Sequence, residues 1–249
     1  MLGTASDMSG KAALVTGANG DLGKAIARRL AEAGASLCLV DPDATALNAF
    51  ADELGGKTAV HAAEVRGRTN CRAAVETAVS AFGRLDALVN VANVFAPAQS
   101  GDMAEEDWEA TLAVNLSAPF YLFQAALPHL LAANGTVTSV GSCAAFMASP
   151  MTAAYTASKA GLAQMTKALA KEFIDQPIRI NYLAPGSMSV SSGNAAKIPS
   201  NVDMSKVQKL ARSLIDVTQV AEVVAFLASD ASAGFHGACI SMDNGLSLG

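Results

Sequence analysis

Short apolar runs alternate along this chain with longer stretches in which apolar residues recur every three or four positions. The runs at 12–16, 36–40, 58–62, 85–90, 136–139, 178–183 and 238–242 read as seven strands. Between the first two, Leu22, Ile26 and Leu30 repeat at i+4 to give one apolar helix face that ends at Gly34. Helix formers fill 44–54, 69–82, 105–131, 152–173 and 218–228, and Pro128 is expected to kink the third of these blocks. Strands and helices in regular turn predict an α/β fold, a Rossmann-type doubly wound seven-stranded parallel sheet with helices on both faces. Between 187 and 214 the pattern breaks into Ser, Gly, Asn and Lys, a long connection for a compact domain, expected to serve as a substrate lid.

With 51% hydrophobic and 16% charged residues in 249, the chain has enough apolar surface for one large core, so a single domain over 1–249 is expected. Its formal charge of -5 provides no basic footprint for nucleic acid or an anionic membrane, which leaves a small molecule as the expected partner. Cys38, Cys71, Cys143 and Cys239 lie far apart without metal-binding spacing, so neither a zinc site nor a disulfide framework is suggested. The first ten residues lack a basic start and an apolar stretch, and no apolar run approaches the roughly 18 residues of a membrane span. A cytoplasmic location, with no membrane partner, is the expectation.

Thr16-Gly17-Ala18-Asn19-Gly20-Asp21-Leu22-Gly23 falls between the first strand and the first helix. Glycines there permit a tight turn and let a helix N-terminus meet a pyrophosphate. Asp41 closes the second strand, eighteen residues beyond Gly23, where a carboxylate accepts both ribose hydroxyls of NAD and repels a 2'-phosphate. No Arg or Lys stands in the turn or just after Asp41, so NAD is expected in preference to NADP.

Tyr155 and Lys159 are four apart in a helical block and share one face. A cation about 4 Å from the phenol contributes on the order of 4 kcal/mol at an effective dielectric near 20, which lowers a Tyr pKa by about 3 units, enough for proton transfer near neutrality. Ser142 lies thirteen residues upstream, just past a strand end, where side chains project into the ligand crevice of a doubly wound sheet. A strand-end hydroxyl and a helix phenol can then meet one substrate oxygen. Val94, Phe95, Phe146, Met147 and Met151 follow the fourth and fifth strands and are candidates to line an apolar crevice.

On these motifs together the chain resembles the short-chain dehydrogenase/reductase family, in its single-domain branch of alcohol, steroid and ketone oxidoreductases, over nearly its whole length. The resemblance implies that Ser142 orients the substrate oxygen, Tyr155 exchanges its proton, Lys159 holds the ribose and lowers the Tyr pKa, and Asn115 supports a water relay. It further implies cofactor contacts at Gly17, Asn19, Gly20, Asp21, Leu22, Gly23 and Asp41, at Glu64 and Val65 beside the adenine, at Asn90 near its ribose, and at Gly186 and Met188 beside the nicotinamide. Asp243-Asn244-Gly245 matches the family's C-terminal turn. The resemblance also implies a homotetramer paired through the helices at 105–131 and 152–173 and through the last strand.

Four positions depart from the family pattern. Asp21 stands where single-domain members carry the middle glycine, a spacing shared with larger, extended members, with Gly20 expected to supply the permissive position. Asn90-Val91-Ala92-Asn93 replaces the usual NNAG, Glu64-Val65 the usual Asp-Val, and Val190 a threonine. The leading expectation is an NAD-dependent oxidoreductase for an apolar secondary alcohol or ketone. The alternatives are a 3-oxoacyl-carrier-protein reductase and a nucleotide-binding sensor with impaired turnover.

Overall fold

The computed structural model describes residues 6–189 and 214–248. Its core is a seven-stranded parallel sheet of β1 (Ala12–Thr16), β2 (Ser36–Asp41), β3 (Thr58–Ala62), β4 (Ala87–Asn90), β5 (Thr136–Val140), β6 (Arg179–Pro185) and β9 (Cys239–Met242), in the order β3-β2-β1-β4-β5-β6-β9. The order reverses between β1 and β4. Strand ends diverge there, and the crevice beyond their carboxyl ends is where such sheets take ligands.

The inner strands β1, β2 and β4 are largely apolar because helices cover both of their faces. Ala13 and Val15 of β1 pack with Ile26 and Leu30 of α1 (Asp21–Glu32), Leu47 and Phe50 of α2 (Ala44–Leu54) and Val220 and Val224 of α7 (Val217–Ala228). Leu14, between them, faces Cys71 and Val75 of α3 (Gly67–Phe82), Leu122 of α5 (Ala118–Ala132) and Leu169 of α6 (Ala153–Glu172). The alternation along one strand therefore sorts two separate cores.

Between α4 (Glu105–Leu112) and α5 the helix does not break but widens into a π turn over Ala113–Ser117. The irregularity expected at Pro128 is thus found earlier, and α5 continues through Pro128 to Ala132. The composite Glu105–Ala132 is long and apolar enough to span a membrane, which the sequence pattern did not suggest. It packs instead on α3 and α6, and more than half of its most apolar stretch faces away from the chain's own core.

Of the expected lid, 190–213 lies outside the described residues, as does Val190. On either side of it, β7 (Met188–Ser189) and β8 (Ile215–Asp216) pair in parallel and bring the two flanks together.

Candidate functional site

β5 delivers Ser142 to the crevice two residues beyond its end, in extended backbone that caps a short turn at Cys143–Ala145. Its Oγ accepts the Ala144 N–H at 3.1 Å, and its own N–H donates to Tyr182 Oη at 3.0 Å. α6 begins beside it and carries Tyr155 and Lys159 on successive turns. The Lys159 Nζ stands 5.4 Å from the centre of the Tyr155 ring, and the Phe95 ring meets that ring edge-on at 4.8 Å. Just before α6, Met151 holds φ at 67°, a left-handed conformation that a bulky side chain rarely adopts and that recurs at functional sites.

Burial governs both titrating groups. Lys159 is 1% exposed, and loss of solvation pushes its amine down to about 7. Burial raises the Tyr155 phenol, and the Ser142 hydroxyl facing it offsets part of that rise. This corrects the expectation that the cation drives the Tyr pKa down. The attraction estimated from spacing neglected the desolvation of both groups.

Asn115 sits in the π turn, 1% exposed, and its amide is spent on protein. Nδ2 donates to the Val94 carbonyl at 2.8 Å and to Ser158 Oγ at 3.1 Å, while Oδ1 accepts the Val94 N–H at 2.8 Å. Ser158 in turn donates to the Tyr155 carbonyl at 2.7 Å. The side chain thus clamps the loop after β4 to the second turn of α6. Single π turns of this kind occur often at functional sites.

In the glycine turn, Gly17 carries the left-handed conformation with φ at 66°, and a Cβ there would lie 2.9 Å from the Ala92 Cα. At Gly23 a Cβ would lie 2.0 Å from the Gly17 carbonyl oxygen, so only glycine lets α1 start this close to the strand. Gly20 is extended, with 3.5 Å to the nearest backbone, and is not the permissive residue expected from the spacing. Asp21 opens α1, whose N-terminal N–H groups favour an anionic side chain. Leu22 packs partly on one core, and Val65 is buried in the other and can offer a ligand little beyond main-chain atoms. Thr16 Oγ accepts the Val91 and Ala92 N–H groups at 3.0 and 3.1 Å, holding the end of β4 against the turn.

Asn19 reaches across to β2, its N–H and Nδ2 donating to the Asp41 carboxylate at 3.3 and 3.0 Å. Asp43 stands two residues on and caps α2 through the Ala46 N–H, so two carboxylates crowd this corner. The buried Oδ1 atoms of Asn19 and Asn90 have no protein partner, an unmet demand for donors on the rim where a nucleotide's hydroxyls or amino group fits. Glu64 is exposed and pairs with Arg66 at 3.6 Å. Gly186 backs onto Asp243, where a Cβ would meet the Asp243 Cα at 2.8 Å, and Met188 packs its side chain partly on the core. The structure therefore gathers Ser142, Tyr155, Lys159 and Asn115 around one end of α6. The turn at 17–23, Asp41 and Asn90 form a second group beside it, with Glu64 and Met188 on the margins. Tyr182, Ser158 and Asp43 went unnoticed in the sequence, where each reads as an ordinary strand, helix or turn residue.

The family model described as Enoyl-(Acyl carrier protein) reductase matches residues 17–247. The chain belongs to the short-chain dehydrogenase/reductase family. It is 35% identical over 245 residues to a D-threitol dehydrogenase of Mycolicibacterium smegmatis, covering 97% of this chain and 94% of that one. To a 3-oxoacyl-[acyl-carrier-protein] reductase of Thermotoga maritima it is 34% identical over 249 residues, covering 96% and 98%. A crystal structure of a short-chain dehydrogenase from Burkholderia cenocepacia in complex with NADP superposes with a TM-score of 0.86 at 30% identity, covering 97% and 99%. Short-chain dehydrogenase/reductases are oxidoreductases that use a nicotinamide cofactor, and the glycine turn, the strand order and the crevice of this chain fit that use.

Proposed function

We propose that the chain is an NAD(H)-dependent oxidoreductase that interconverts an apolar secondary alcohol and its ketone. The observation that carries the reading is the convergence of Ser142, Tyr155 and Lys159 at the start of α6, beside the glycine turn. When bound, the nicotinamide supplies or accepts the hydride. The chain's own residues handle the proton. Ser142 Oγ and Tyr155 Oη both hydrogen-bond the substrate oxygen. In oxidation Tyr155 takes the hydroxyl proton while its own phenolic proton passes to the unprotonated Lys159 amine, as the C–O bond becomes a carbonyl, and in reduction both transfers reverse. Lys159, with its amine near 7, is poised to relay the proton at neutral pH.

NAD rather than NADP is supported by Asp41 and Asp43, since two carboxylates at the end of β2 disfavour a 2'-phosphate. Asn19, Asp41, Asn90 and the main chain at 17–23 would hold the dinucleotide. Phe95 and Phe146, 38% and 47% exposed beside the catalytic group, supply apolar walls for a substrate without charge. A second reading, reduction of a 3-oxoacyl thioester, is favoured by the Thermotoga maritima relative, although the net charge of -5 gives no attraction to an acidic carrier. The apolar, incompletely buried stretch that follows the acidic first turn of 105–132 suits association as a homotetramer, which light scattering at micromolar concentration tests.

The experiment is NADH oxidation with a panel of cyclic and linear ketones, in wild type and Tyr155→Phe. Turnover is expected to fall at least a hundredfold in the variant while NADH affinity stays within threefold. Wild-type rates in Tyr155→Phe would overturn the mechanism. NADH binding without turnover of any ketone would favour a nucleotide sensor.

A further inference from the structure

We propose that Tyr182 is a positioning residue for the proton-transfer group, its buried phenol tying the Ser142 main chain to the Lys159 carbonyl across the space left by Gly141. This rests on the oxidoreductase reading of Ser142, Tyr155 and Lys159.

Tyr182 lies in the middle of β6 and is fully buried, the largest such side chain among the described residues. A phenol hydroxyl at such depth is costly unless it is hydrogen-bonded. Its oxygen accepts the Ser142 N–H at 3.0 Å, and its one proton has two carbonyls in reach, Ser142 at 3.2 Å and Lys159 at 3.3 Å. A single hydroxyl donates to one of them at a time, so the proton is shared between the strand end and the helix. Both of its neighbours are residues of the proton-transfer group, and they belong to different elements.

Gly141 makes the arrangement possible. A Cβ at that position would lie 1.9 Å from the Tyr182 Cζ and Oη, inside the ring's own volume. The Gly141 backbone is not left-handed, so nothing but the ring calls for a glycine here. Strand register enforces the meeting, since β5 and β6 pair Ser139 with Tyr182 and the Gly141 N–H donates to the Leu183 carbonyl at 2.8 Å. Leu162, Ala163 and Ala184 close around the ring, and Phe146 approaches it edge-on at 6.3 Å. Burial raises the phenol far above its ordinary range, so it remains a protonated donor and does not compete with Tyr155 for the reaction's proton.

The hydroxyl does not reach substrate. Its effect passes through Ser142, whose Oγ must face both the substrate oxygen and the Tyr155 phenol, and such a group tolerates little displacement. Removing the hydroxyl is therefore expected to slow the chemical step while sparing affinity.

The test is Tyr182→Phe in the full chain, read in two ways. First, kcat is expected to fall about tenfold with KM and NADH affinity unchanged within threefold. Second, the three tyrosines are labelled with carbon-13 at Cζ and followed by NMR titration without substrate, with the Tyr155 resonance assigned by its loss in Tyr155→Phe. Because the Ser142 hydroxyl lowers the Tyr155 phenol and is no longer held, the Tyr155 midpoint is expected to rise. An unchanged kcat and midpoint in a folded variant, or equal losses in kcat and in NADH affinity, would overturn the proposal. If wild type turns over no ketone, the oxidoreductase reading falls while the NMR titration still judges the positioning. Should Tyr182→Phe not fold, Gly141→Ala keeps the phenol but displaces it and is read by the same two measurements. Failure of both variants to fold would make the pair architectural and end the proposal.

Discussion

Lys159 places its Nζ 5.4 Å from the centre of the Tyr155 ring while only 1% of the residue meets solvent. The amine titrates near 7 in the folded chain against 10.5 when free. Between those values the unfolded chain holds a proton that the folded chain has lost, so stability rises with pH through this window and falls as pH drops toward 7. Below 7 both forms are protonated and the penalty is complete. From pH 6 to pH 9 the change amounts to about 2–3 kcal/mol. Lys159→Met should abolish this dependence, gaining on wild type more at pH 6 than at pH 9. Urea unfolding at the two pH values checks it, and a gap independent of pH would refute it.

The two glycines of the cofactor turn should respond oppositely to one added methyl group. Gly23→Ala drives a Cβ into the Gly17 carbonyl, a main-chain clash that costs about 3 kcal/mol or more and lowers Tm by roughly 6–12 °C. Gly20→Ala has room and ordinary dihedrals, so its Tm should stay within about 2 °C. Calorimetry on both variants decides between this assignment and one in which Gly20 is the permissive residue.

Asn115→Ala should destabilise the protein by about 1–3 kcal/mol, because it leaves the half-buried Val94 N–H and carbonyl without their partners. Denaturant midpoints read this directly. A loss under about 1 kcal/mol would mean that water replaces the amide at no cost.

Asp41→Ala should raise the ratio of kcat/KM with NADPH to that with NADH. A carboxylate about 5 Å from one phosphate charge contributes roughly 0.8 kcal/mol in water and about 3 kcal/mol at an effective dielectric of 20, a range of about 4-fold to 200-fold. The neighbouring Asp43 persists in the variant and holds the gain toward the lower end. An unchanged ratio would place Asp41 away from the ribose.

The sheet was legible because strands covered on both faces favour apolar residues, and β1 and β2 stand within one residue of where the apolar runs fall. The nearness of Ser142 to Tyr155 and Lys159 was legible from spacing together with strand position, since a strand end and one helix turn fix their relative places, while their roles came from the family resemblance. Lys159's environment was not, for spacing gives proximity but not solvent access. The clamp made by Asn115 depends on a π turn inside a uniformly apolar helix, where no residue type marks the extra residue in the turn. Tyr182 and Gly141 meet only through the β5–β6 register, a long-range pairing that neither local sequence encodes.

The strand order also sets a schedule for synthesis. β3, β2, β1 and β4 are consecutive in the sheet and are all made by Asn90, so the nucleotide half can assemble while the residues of the proton-transfer group are still untranslated. Until β5 arrives, the edge of that half is Ala87–Asn90, a strand wholly buried in the finished protein. The roughly 50 residues from Asn90 to Val140 take about 3–10 s at 5–20 residues per second, a period in which the nascent chain presents an apolar, unpaired strand to its neighbours. Nascent chains halted within that stretch are therefore expected to be more prone to associate than chains that include β5.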